Sequence, residues 1–397
     1  MDPITNPYSP GAGTPPPELA GRDELLNKVR IAIERIRRGR SAQSILVLGL
    51  RGVGKTVLLD QMRDDAEAAG FYTLRIEAPE NLSLPALIAP ELRVTLLRLS
   101  KVEQAKSYSV LALRALAGFA TALKVKFQDI EVGLDFEPEP GLADNGDLEH
   151  DLAALLEAVG IAANKAGSAV VMFIDELQYV EEDQLAVLIS ALHRCAQRKL
   201  PVALVGAGLP QLRGCMGRAK SYAERLFEFP EVGALNEAEA ALAITKPAEE
   251  EGVEFEVGAV ADIFNETNGY PYFIQEWAKS AWDIASESPI TLADVDAAST
   301  IAIAALDSSF FRVRFDRLTP SEKRYLRAMA DLGPGPHRSG DIAGKLERPV
   351  QSVAPIRNNL IKSGMIWSPY HGDTAFTVPL FDDFMKRIMP GDEWKEV

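Results

Sequence analysis

A parallel-sheet α/β core, then an all-helical segment, then a C-terminal helix–helix–hairpin module is the fold this sequence predicts. Three observations predict it. A glycine-rich loop, Gly49-Leu50-Arg51-Gly52-Val53-Gly54-Lys55-Thr56, directly follows a short apolar run. A second apolar run ends on the acidic pair Asp175-Glu176. After Leu235 strand signals cease until a hairpin pattern near 365–378.

The loop fits G-x-x-x-x-G-K-[ST], whose backbone N–H groups turn inward around a phosphate chain. Glycines allow conformations and close approach that a Cβ would block. The run Ser44–Leu48 reads as a buried strand. Thr56–Ala69 reads as a helix stopped by Gly70. Strand, loop and helix together place a helix N-terminus under the phosphates. The cradle comprises Gly49, Gly52, Val53, Gly54, Lys55, Thr56 and Val57. Lys55 would reach the β- and γ-phosphates and the Thr56 hydroxyl would ligate Mg²⁺. An ordinary glycine-rich turn is the alternative, and the flanking strand and helix argue against it.

Hydrolysis of ATP to ADP needs more: a carboxylate for the metal shell and a group that orients water. Ala169–Glu176 reads as a second buried strand with acids at its tip. Asp175 is assigned to the metal and Glu176 to the attacking water; the bland alternative is an acidic pair opening a loop. The next helix carries Glu181, Glu182 and Asp183 in its first turn and Arg194, Arg198 and Lys199 in its last, as the helix dipole favours. His193 lies on this helix, with a structural role as its default. Phe71–Ala78 and Pro201–Gly206 add two further strands. Strands alternating with helices imply a parallel sheet covered by helices. Residues 84–150 form a long insertion, helical at first and loop-like from 132 to 147.

At 397 residues the chain has room for two or three domains. A net charge of −15 excludes a protein that coats nucleic acid over its whole surface, so any DNA contact must be local. Cys195 and Cys215, 2 cysteines in so long a chain, fit a reducing cytoplasm. The N-terminal residues 1–17 carry no signal peptide and are rich in proline and glycine, which predicts an extended, mobile tail. No run is a clean membrane span; Arg114 and Lys124 interrupt the nearest, 109–125. With 4 His and 2 Cys, no metal site beyond the nucleotide's Mg²⁺ is expected.

Residues 236–316 read as an all-helical segment. Asn236 and Glu239 form a capping pair, and helices follow near 237–251, 256–267, 271–286 and 291–306. Tyr270, Tyr272, Phe273 and Trp277 read as the core of this helical segment rather than a base-stacking platform. Residues 317–390 read as a winged helix. Thr319-Pro320-Ser321-Glu322 caps its first helix, Ser339–Leu346 and Val350–Ser363 follow, and strands flank a His371-Gly372-Asp373 turn. Such a module sets its third helix in a DNA major groove. Arg348, Gln351 and Arg357 are the candidate duplex-DNA contacts, with Lys362 nearby and a basic strip of Arg312, Arg314 and Arg317 before them. The module holds 11 Lys/Arg against 7 Asp/Glu, opposite in sign to the rest of the chain. Pro355 inside the reading helix and an acidic wing tip leave protein docking as the alternative use.

Taken together, these residues resemble the AAA+ ATPases of the origin-recognition and signalling-ATPase type, across about residues 17–390. The stretch Pro17–Asp23 resembles the family's G-R-[DE] box, which implies that Arg22 lies against the adenine. Without the resemblance it is a helix N-terminus. Arg225, in Ala223–Phe227, matches the position of an arginine that reaches a neighbour's γ-phosphate, which would require a homo-oligomer. A solvated or internally paired arginine is the other reading. Two features depart from the family. Gly206-Ala207-Gly208 carries no polar γ-phosphate sensor, and the lid segment Thr267–Phe273 lacks a second sensor arginine. Both favour slow turnover. The resemblance implies an AAA+ core at 18–235, a lid at 236–316, a winged helix at 317–390 and a short tail at 391–397. The function expected is a nucleotide-dependent switch that hydrolyses ATP slowly and binds DNA. The alternative is a signalling scaffold that binds a protein partner.

Overall fold

The computed structural model describes residues 1–11, 13–79, 82–123 and 136–395. The chain divides into two compact units. One comprises 22–49 and 55–232; the other comprises 1–21, 50–54 and 233–397.

The first unit is built on a parallel sheet. In chain order it contains α1 (Asp23–Arg37), β1 (Ser44–Leu48), α2 (Lys55–Ala68), β2 (Tyr72–Glu77), α3 (Leu84–Leu99), α4 (Lys106–Ala122) and α5 (Leu148–Lys165). Then come β3 (Val170–Asp175), α6 (Glu182–Gln197), β4 (Val202–Gly208), α7 (Leu212–Ala219), α8 (Ala223–Leu226) and β5 (Phe227–Glu228). The sheet order is β2-β3-β4-β1-β5, and every pairing is parallel. The central strands β3 and β4 are buried along their whole length, as continuous apolar runs require. The register sets Glu77 beside Asp175 and Leu48 beside Gly208, so the C-terminal ends of these paired strands lie side by side. In the insertion, α3 and α4 join α5 and bury Leu92, Leu96, Leu113, Leu116 and Phe119 in the same core. The remaining part of the expected insertion loop, 132–135, lies outside the described residues. The two-residue strand β5 has no sequence signal, because two residues cannot show a period.

The second unit is mainly helical. Its elements are α9 (Glu237–Glu250), α10 (Val257–Thr267), α11 (Pro271–Ile284), α12 (Leu292–Leu306), a π-helical turn at Asp307–Phe311 and α13 (Arg312–Asp316). They continue with α14 (Pro320–Ala330), β6 (His337–Arg338), α15 (Ser339–Lys345), α16 (Val350–Lys362), β7 (Ile366–Trp367), β8 (Asp373–Phe376) and α17 (Phe381–Ile388). Capping boxes at Asn236/Glu239, Thr291/Asp294 and Thr319/Glu322 satisfy the first free N–H groups of α9, α12 and α14. The antiparallel sheet has the order β6-β8-β7. Helix α16 runs through Pro355. Of the four aromatics expected in a helical core, Tyr270, Phe273 and Trp277 are buried and Tyr272 is half-buried.

The N-terminal residues are anchored in this second unit. Tyr8 is 2% exposed, edge-on to Phe255 and Trp282, and its hydroxyl donates to the Ile244 carbonyl. Asn6 Nδ2 donates to Asp283 Oδ1 at 2.8 Å and to the Lys279 carbonyl at 3.1 Å. The proline-rich composition that suggested a mobile tail carries no sign of this anchor, because single side chains, Tyr8 and Asn6, supply it. Among the described residues no helix is long and apolar enough to cross a membrane.

Candidate nucleotide site

In the first unit, β1 and β4 run parallel and end together. The Gly49 N–H donates to the Gly208 carbonyl at 3.1 Å, so the glycine-rich loop leaves from the C-terminal ends of two neighbouring interior strands. Lys55 opens α2 and is 6% exposed. Thr56 Oγ1 donates to Asp175 Oδ2 at 2.7 Å. The two oxygens expected to share a metal shell are therefore brought together from residues 119 apart in sequence. Among the described residues no group of three or more His, Cys, Asp or Glu could hold a metal. A hydroxyl beside one carboxylate suits Mg²⁺, which takes few protein oxygens and fills its shell with water and phosphate. The donor set fits the cation.

Asp175 is 2% exposed, and a buried carboxylate needs a partner. Arg75 on β2 supplies it, with Nη2 3.6 Å from Asp175 Oδ2 and Nε 2.6 Å from Asp60 Oδ1. Sequence reasoning missed Arg75. Its only signal is a cation on a strand whose neighbours point into the core.

Glu176 sits in the left-handed region at φ 53°, a conformation that costs a non-glycine residue about 1–3 kcal/mol. Its N–H donates to Asp175 Oδ1 at 2.8 Å. The two acids are thus neighbours whose carboxylates leave the strand tip differently. The Glu176 carboxylate accepts from Gln178 Nε2, a second contact the sequence did not disclose.

The loop tip 50–54 belongs to the second unit. Gly52 (φ 85°) and Gly54 (φ 88°) take left-handed conformations that side chains resist. A Cβ on Gly52 would also stand 2.9 Å from Tyr270 Cε1. The Tyr270 hydroxyl donates to the Arg51 carbonyl, and the Tyr272 N–H donates to the Gly52 carbonyl at 3.3 Å. Arg51 N–H and Nε donate to the carbonyls of Thr377 and Gly364, each at 3.3 Å. Nearby, Arg314 lies on the Phe310 ring at 4.0 Å. Burial and then the Arg51 charge pull its pKa down to about 10. The expected basic strip is therefore split: Arg314 is turned inward and Arg312 pairs with Asp316 at 3.0 Å.

The remaining candidates are placed less centrally. Arg22 is half-buried at the N-cap of α1. Arg225 is exposed on α8, and its carbonyl accepts from Gln43 Nε2 at 3.1 Å. Val53 is buried and Val57 half-buried. His193 packs on Tyr222 with ring centroids 4.8 Å apart. Arg348 and Gln351 are exposed. Arg357 is committed inside its own module: its guanidinium donates to Thr374 Oγ1 at 2.9 Å, and to Ser368 Oγ and the Asp373 carbonyl at 3.0 Å each. It ties α16 to β8, so the expectation that it faces a DNA groove does not match its bonding.

Residues 18–205 match the model of the AAA ATPase domain, and residues 308–385 match a domain of unknown function, DUF8462. Among curated proteins none matches the sequence. The Walker-type ATPase PABY2304 of Pyrococcus abyssi is similar in structure, with a TM-score of 0.60, 15% identity, and coverage of 94% of this chain and 98% of that one. The ORC1 protein of Aeropyrum pernix, solved in complex with DNA, scores 0.46 at 16% identity and 94% coverage of each chain. The RuvB Holliday-junction branch-migration motor of Thermotoga maritima scores 0.43 at 16% identity, covering 90% of this chain and 92% of that one. Identities this low speak to fold alone, and nothing rests on the two scores below 0.5. The five-stranded parallel sheet with its surrounding helices is the fold of an AAA+ P-loop NTPase, and residues 18–205, which build most of it, match the AAA ATPase domain.

Proposed function

We propose that the chain binds ATP with Mg²⁺, hydrolyses it slowly to ADP and phosphate, and uses the nucleotide state as a switch. The observation that carries this reading is the 2.7 Å bond between Thr56 of the phosphate loop and Asp175 at the β3 tip. In it, Lys55 and the loop N–H groups grip the phosphates, and Thr56 and Asp175 hold the cation. Bound Mg²⁺ would neutralise charge on the β- and γ-phosphates. Glu176 orients the attacking water, Arg22 lies along the adenine, and Arg225 reaches a neighbouring copy's nucleotide in an oligomer. Calorimetry with MgATP and a phosphate-release assay test this on the nucleotide-free protein. Lys55→Ala should lose binding, and Glu176→Gln should bind without turnover. No heat from MgATP would overturn the reading.

In the same proposal, residues 317–390 form a winged helix that contacts duplex DNA through Arg348 and Gln351 at the start of α16. The element order helix, strand, helix, helix, strand, strand supports it. So does the excess of cations over acids in this region. Duplex binding followed by fluorescence anisotropy at rising salt tests it, and absence of binding at low salt refutes it. The commitment of Arg357 to its own hairpin, in an otherwise acidic chain, favours a second reading. There the module docks a protein partner, and ATP sets the conformation of a signalling scaffold. A stoichiometric partner retained without DNA would select it.

A further inference from the structure

The end of β4 carries Gly206, Ala207 and Gly208, with no polar side chain among them. The structure shows what fills that space. A Cβ at Gly206 would collide with Leu177 and Leu46, and a Cβ at Gly208 would lie 2.8 Å from Gln178 Oε1. The turn Leu177–Tyr179 that follows β3 is packed onto the β4 tip, where Leu177 lies over Gly206 and the Gln178 carboxamide over Gly208. From this turn Gln178 spans two strand ends. Its Oε1 accepts the Leu209 N–H at 3.0 Å, and its Nε2 donates to the Glu176 carboxylate. Both partners dictate the same amide orientation, since a flip would set carbonyl against carboxylate and NH₂ against N–H. Thr56, Asp175, Glu176, Gln178 and Leu209 form one unbroken chain of hydrogen bonds from the phosphate loop to the end of β4.

We propose that Gln178 is a positioning residue: it holds the Glu176 carboxylate in place and supplies, from the turn after β3, the polar group that the β4 tip lacks. This inference rests on the ATP-hydrolysis reading. The carboxamide acts at both ends. Its oxygen pins the turn to Leu209, and its N–H sets the direction of the carboxylate that must face water.

Gln178→Glu separates the two ends, because it keeps an oxygen for the Leu209 N–H and removes the donor to Glu176. Gln178→Met removes both at similar size. Steady-state phosphate release, calorimetry with MgATP and thermal melting are measured on the full chain. The affinity for ADP with magnesium and aluminium fluoride is measured against that for ADP alone. In Gln178→Glu, kcat should fall about tenfold or more, with KM and MgATP affinity within about twofold. The preference for the aluminium fluoride complex should fall by a similar factor, since that complex imitates the transition state. Its melting midpoint should stay near wild type. A Gln178→Glu enzyme with wild-type kcat overturns the role, as does one that loses binding and thermal stability together with kcat. Wild-type protein that binds MgATP but releases no phosphate overturns the hydrolysis reading and this role with it. Wild-type turnover with unaltered Gln178→Glu turnover overturns the role of Gln178 alone.

Discussion

Thr56 and Asp175 meet at 2.7 Å, hydroxyl to carboxylate, although one lies in the first turn of a helix and the other ends a strand. The contact exists because β1 and β3 flank β4 in a parallel sheet, so their C-terminal ends face the same way. It also sets a hydroxyl oxygen and a carboxylate oxygen side by side, the pair proposed to hold Mg²⁺.

Thr56→Val removes one of those oxygens at nearly constant volume. Turnover with MgATP should fall about ten- to a hundredfold, with ATP affinity in the absence of Mg²⁺ nearly unchanged. Calorimetry at several Mg²⁺ concentrations checks this.

Arg75 lies against the otherwise buried Asp175. Arg75→Met should leave that carboxylate short of a partner and cost about 1–3 kcal/mol of folding stability. Chemical denaturation measures the loss. Arg75→Lys should recover part of it.

Gly208 makes room for Gln178 Oε1. Gly208→Ala should displace the amide and lower turnover about ten- to a hundredfold, the scale of a misplaced positioning group, with MgATP still bound. Wild-type phosphate release from this variant would show that the strand tip tolerates a side chain.

Tyr8 anchors the N-terminal residues, and burial, then the Glu249 charge, raise the pKa of its phenol. The raised value means the neutral form is favoured in the folded state. Its contribution is fully present below the unfolded tyrosine pKa of about 10, and is lost as pH rises through the higher folded value. Tyr8→Phe should therefore flatten part of the alkaline fall in stability. Tyr8→Ala should cost about 3 kcal/mol at neutral pH. Thermal melts from pH 7 to 11 distinguish the two.

Arg348 is exposed and Arg357 is bonded inside its module. If the module contacts DNA, Arg348→Ala should weaken binding and lower the salt slope by about 1. Arg357→Ala should instead loosen the hairpin, which hydrogen exchange at Asp373–Phe376 would reveal.

Much of this protein is local in origin. The run Ser44–Leu48, the phosphate loop, the strand ending at Asp175 and the capping boxes at Asn236 and Thr319 are each written in a few consecutive residues. Period, cap chemistry and left-handed glycine need no distant partner, so these elements can be read directly. The features that escaped reading depend on pairing across the chain. Arg75 finds Asp175 only once β2 lies beside β3. Arg357 is drawn into the hairpin by Thr374 and Asp373, seventeen and sixteen residues on. Tyr8 is buried by residues more than two hundred positions away. The glycines of β4 show in the sequence as a strand tip without a polar side chain, and only the structure shows Gln178 reaching it from the turn after β3. Composition and spacing alone determined a phosphate loop, an acidic strand tip and the order of helices around them, since those follow from backbone geometry and hydrophobic period. Only tertiary structure decided which polar groups meet, because a hydrogen bond requires its atoms within about 3 Å, and folding alone brings distant residues that close.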